Sequence, residues 1–248
     1  MARKLCLEKL TFALNLNQNE MSNIPIFISL LFIATTFLTV WMFYKASGKS
    51  KPLLIGILAW MLIQAIISLM GFYQNSKSIP PRFLLLIGPG IIFSILLLIT
   101  KWGKKFIDKL HLKTLTLMHS IRIPVEITLF FVYSAGLIPA LMTFEGNNFD
   151  IFSGLTAPVI FYFVFIIKKL HRTALLLWNF LCIGLLINVL IIAVLSAQTP
   201  FQKLAFDQPN IGVTFFPFIW LPCVVVPIVL IAHLSAIRQL IKIKLTNI

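Results

Sequence analysis

The chain has 248 residues and a mean hydropathy of +0.98; 59% of its residues are hydrophobic and 11% are charged. A water-soluble domain carries about a quarter of its residues as charged groups, so this composition excludes a soluble globule and fits an all-α polytopic membrane bundle. The net charge of +14 does not point to nucleic acid, because the lysines fall in short connections between apolar runs and no basic, aromatic-interleaved soluble domain is present.

Residues 1–22, MARKLCLEKLTFALNLNQNEMS, are broken by Glu8, Lys9, Asn15 and Asn17 and lack the continuous apolar core of a signal peptide. Met21 stands directly before the first apolar run, so this segment is read as an N-terminal extension ahead of a start at Met21. Residues 23–248 then form one membrane domain. Apolar runs bounded by charge, Pro, Gly or Asn predict seven transmembrane helices near 24–44, 52–73, 83–100, 120–143, 152–167, 174–196 and 211–237. Fourteen basic residues lie in the odd-numbered loops and the C-terminal tail, against three (Lys77, Arg82 and Lys203) in the even-numbered loops. The positive-inside rule therefore sets the N-terminus outside and the C-terminus in the cytoplasm. The compact bundle without large soluble domains suggests a bacterial inner (plasma) membrane.

The third loop, KWGKKFIDKLHLKTL, carries Lys101, Lys104, Lys105, Lys109 and Lys113 around Trp102, Phe106, Ile107 and Leu110. Helical spacing gathers the apolar four on one side, as expected of a segment in the headgroup layer with Lys101–Lys113 facing anionic lipid.

The fourth span opens on RIPVE, Arg122 to Glu126. On a helix entering near Ser120, Glu126 lies ~9 Å from the cytoplasmic end, and Arg122, a turn shallower, can snorkel to the interface and reach back to the carboxylate. Pro124 is tolerated in a first turn, where its missing N–H is no loss. His119 precedes Arg122 by three residues, and His233 on the last span is placed near the same end. Ionisable groups inside a span cost roughly 2.5–3.5 kcal/mol at mid-helix and mark function by default. His119, Arg122, Glu126 and His233 are therefore the candidate ligand- or proton-binding group, against the simpler reading of a rim ion pair that anchors the helix.

Between the fourth and fifth spans, MTFEGNNFDIFSG has acids and no basic residue. Glu145, Asn147, Asn148 and Asp150 offer oxygens that suit a cationic or hydroxylated ligand, but the spacing is not that of a calcium loop. Capping competes with this: Asp150 for the fifth span, Asn147 or Asn148 for the end of the fourth, with Arg82 pairing Glu145. The last span holds Pro217, Pro222 and Pro227, and Gly88-Pro89-Gly90, Pro139 and Pro158 interrupt others. Broken helices of this kind resemble those that build transporter sites.

No zincin, serine-hydrolase or nucleotide-binding motif occurs, and Cys6, Cys182 and Cys223 have no metal-ligand spacing. His119 with His233 is the one histidine pair placed to hold a haem. No cofactor follows from the residues, and catalysis is not favoured. The sequence puts a small-solute or ion transporter of permease type first, beside a structural or assembly subunit or a lipid- or haem-linked membrane enzyme.

Overall fold

The computed structural model describes residues 23–76 and 78–246, with side chains as far as Lys242. The N-terminal extension and the choice of Met21 as start lie outside the described residues.

Prolines, which need no donated N–H at a helix start, open the first three helices: Pro25 precedes α1 (Ile26–Ala46), Pro52 stands in the first turn of α2 (Lys51–Leu69), and Pro81 precedes α3 (Arg82–Ile99). Thr100 caps α4 (Lys101–Ile107), its hydroxyl accepting from the Gly103 N–H. The chain then runs through α5 (Leu112–Met118), a 3-10 turn (His119–Ile121) and α6 (Arg122–Ser134) as one span. Gly136, at φ +82°, ends it by letting Leu137 N–H reach the Val132 carbonyl. After it come α7 (Ile151–Phe161) with a π turn (Tyr162–Ile166), α8 (Arg172–Leu195), a π turn (Leu221–Val225) and α9 (Val226–Thr246).

Among the described residues, six helices are long and apolar enough to cross a membrane: Ile26–Ala46, Lys51–Leu69, Arg82–Ile99, Leu112–Ser134, Arg172–Leu195 and Leu221–Lys242. Ile151–Ile166 is shorter than a crossing helix. These are the helices of an integral membrane protein.

Two spans differ from those expected, and the fourth also ends at Ser134 rather than near 143. The fourth span begins at Leu112, not near Ser120, because Leu115, Thr116, Met118 and His119 are buried against the bundle despite the polar character of the segment. The last begins at Leu221 rather than 211. Pro217 and Pro222 each remove a helical N–H, and residues 211–220 instead run as a mostly buried, irregular strip. That strip is held by its partners: Ile211 and Gly212 N–H both donate to the Leu137 carbonyl, and Ser68 Oγ donates to the Thr214 carbonyl at 2.8 Å. Pro227 leaves the Cys223 carbonyl without its helical donor, and Trp60 Nε1 supplies one at 3.0 Å.

The lysine-rich connections meet at one end of the bundle. Asp108, after α4, receives Arg238 Nε at 2.8 Å and Lys242 Nζ at 3.1 Å. Burial pushes the Asp108 carboxyl up, but these hydrogen bonds outweigh it and hold the group below the usual aspartate value. Trp102 is exposed and stacks on the half-buried Phe106, whereas Ile107 and Leu110 are buried and their carbonyls accept from Gln239. The third loop thus divides its apolar residues between surface and core instead of presenting them on one face.

Candidate functional site

Arg122 stands near the midpoint of the span Leu112–Ser134, roughly 15–18 Å along the helix from either end at 1.5 Å per residue. It is 2% exposed and too deep to snorkel, which removes the rim position expected for it. Its guanidinium pairs with Asp150 through Nη1 and contacts His233 Nε2 through Nη2 at 2.9 Å. The expected i, i+4 pair with Glu126 is not made. Glu126, also 2% exposed, accepts instead from Asn148 Nδ2 at 2.7 Å.

Both partners come from the segment between α6 and α7, which folds back into the bundle. Asn148 is fully buried: Nδ2 also donates to the Met142 carbonyl, and Oδ1 accepts from the Asp150 N–H at 3.0 Å. Asp150 stands at the start of α7, but its side chain does not cap the helix; it accepts from Arg122 and from Ser153 Oγ. The capping roles expected of Asn148 and Asp150 are replaced by contacts to the buried charges. Gly154 permits this approach, since a Cβ there would sit 3.0 Å from Ile123 N and 3.2 Å from Arg122 Cβ. α7 therefore begins at mid-depth and runs beside α5, where Lys113 lies over the Phe161 ring.

The histidines complete the cluster. His233 Nδ1 lies 2.9 Å from Asn179 Oδ1, while Asn179 Nδ2 donates to the Leu175 carbonyl and so fixes the amide orientation. Nδ1 must then carry the proton, and Nε2 accepts from Arg122: His233 is a neutral imidazole with its tautomer set by both neighbours. His119 stacks on it at 3.9 Å and 13°, and Trp178 packs edge-on against His119. Two haem ligands must face the iron from opposite sides, so these parallel, touching rings do not form an axial pair. No group of three or more His, Cys, Asp or Glu among the described residues can hold a metal.

Three buried atoms of the cluster have no partner: His119 Nδ1, Arg122 Nε and Glu126 Oε2. Arg122, Glu126 and Asp150 are the charged groups on an otherwise apolar cavity of about 60 Å³ between α3, α6, α8 and the π turn.

A family profile described as "Domain of unknown function (DUF8737)" matches residues 79–241, which include every residue of this cluster. The chain belongs to that family. No curated protein and no solved structure matches it. Within the DUF8737 region the other sequence candidates lie apart from the cluster. Glu145 and Asn147 are exposed, and Asn147 only lends its carbonyl to Asn188. Arg82 does not pair with Glu145; it donates to the Phe72 carbonyl and lies over the Phe72 ring. Asn179, Ser153 and Trp178 escaped the sequence reading. Asn179 was findable, as an amide in the middle of an apolar span.

Proposed function

We propose that this chain is a proton-linked transporter of small solutes or ions, in which Glu126 takes up and releases the proton. One observation carries the reading. Arg122 is committed to Asp150 and His233, so Glu126 has a single amide donor for one oxygen and none for the other, on an apolar cavity at mid-depth. An ionised carboxylate so placed is costly and is relieved by a proton.

The surroundings support a path. The segment 135–150 with α7 makes a seventh crossing as a loop and a half-helix, the arrangement that transporters use around a central site. Phe83 borders both the Glu126 cavity and a polar pocket at the lysine-poor end, so one aromatic ring partitions them. In this reading that end faces outwards and the C-terminus lies in the cytoplasm of a bacterial inner membrane, with Lys101, Lys104 and Lys105 against anionic lipid; the lysine asymmetry supports this orientation. A static assembly subunit is the second reading, favoured by the pairing of Arg122 with Asp150 and His233.

The test is proton movement in proteoliposomes under an imposed pH gradient. Wild-type protein should dissipate the gradient, and Glu126→Gln should fall to the level of empty vesicles while eluting as a folded particle. Equal rates for the two proteins, or no movement by wild type, would overturn the reading.

A further inference from the structure

A polar pocket of about 190 Å³ opens at the lysine-poor end of the bundle, where the ends of α2, α3 and α8 meet residues 210–215. Three of its wall residues carry hydrogen-bonding capacity that the protein does not use. Gln74 Nε2 donates to the Thr214 carbonyl at 3.1 Å, which fixes the amide and leaves its buried Oε1 without a donor. Asn210 is 1% exposed; Nδ2 donates to the Ala193 carbonyl at 3.0 Å and its backbone N–H to the Ser196 carbonyl, yet Oδ1 has no partner. Arg82 spends one Nη1 on the Phe72 carbonyl at 3.0 Å and meets no carboxylate among the described residues.

Buried amide oxygens are rarely left without a donor, and a guanidinium favours an oxyanion in planar, two-point contact. Two unused acceptors beside a cation that meets a carbonyl and the Phe72 ring but no anion call for a ligand of the opposite make-up: donors next to an anion. We propose that this pocket binds a small carboxylate that bears an amino or hydroxyl group on the adjacent carbon. The N–H or O–H groups donate to Gln74 Oε1 and Asn210 Oδ1, and the carboxylate faces Arg82. The volume admits one amino acid or hydroxy acid. The same chemistry occurs free in solution and in a serine phospholipid headgroup, and the test separates the two sources. The inference does not depend on proton movement at Glu126.

Thermal melting of the full chain in detergent, with L-serine and L-lactate as probes, tests it. Acetate, which lacks the donor, and ethanolamine, which lacks the carboxylate, are the controls. A saturable rise in Tm is expected with serine or lactate and not with the controls. It should be lost in Arg82→Gln and weakened in Gln74→Met, and should persist in Glu126→Gln. A rise produced by phosphatidylserine in nanodiscs but not by free serine assigns the pocket to the headgroup. No saturable rise from any probe, an equal rise with acetate, or a rise that survives Arg82→Gln overturns the proposal.

Discussion

Arg122 shows how the environment of one residue decides its role. A guanidinium at mid-depth is tolerable because Asp150 balances its charge and the neutral His233 accepts a further hydrogen bond. Removing one member of a buried pair leaves an uncompensated charge, which costs about 3–5 kcal/mol, whereas replacing both can be neutral. Asp150→Asn should therefore lower unfolding stability in detergent by about that amount, and Arg122→Met combined with Asp150→Asn should recover most of it. A single variant as stable as wild type would show that Asp150 is not the counter-charge. The sequence made Arg122, Glu126, His119 and His233 visible, because ionisable groups stand out in apolar runs. It hid their partners, since Asn148 and Asp150 look like ordinary capping residues until the loop is seen to turn inward.

At the scale of elements, apolar length was legible, and so were most boundaries except those of the fourth and last spans. Hydropathy treats Leu112 to His119 as a polar loop, yet Thr116 bonds its own Leu112 carbonyl and His119 stacks on His233, so the polar atoms are satisfied inside the helix. The opposite error came at residues 211–220, where high apolarity suggested a helix that proline chemistry forbids. The bounds of the half-helix α7 were legible, since the expected 152–167 falls within a residue of Ile151–Ile166, but its depth was not, because its start is seated by tertiary contact at Gly154. Replacing Gly154 with Leu drives a side chain into Ile123 and Arg122 and displaces the start of α7 from the cluster. Overpacking of this kind costs about 1–3 kcal/mol. Gly154→Leu should melt earlier than wild type and lose gradient dissipation together, while Gly154→Ala should be the milder of the two. Unchanged melting of the leucine variant would mean that α7 is not seated against Ile123.

For the molecule as a whole, the two ends are chemically different, and the difference orders everything between them. At one end the lysines surround the clamp of Asp108 with Arg238 and Lys242; at the other, Arg82, Gln74 and Asn210, the two amides each with an unpaired oxygen, line a polar pocket. Phe83 and the apolar cavity separate that pocket from Glu126. Which end faces outwards decides whether the pocket samples the exterior or the cytoplasm, and the proposed orientation, with the lysine-rich end inside, rests on the lysine asymmetry. Single cysteines at two exposed positions test this in a Cys6→Ala background, with Cys182 and Cys223 buried. A membrane-impermeant maleimide should label Glu145→Cys in intact cells, and Lys105→Cys only after permeabilisation. The reverse pattern would turn the bundle over and place the pocket against the cytoplasm.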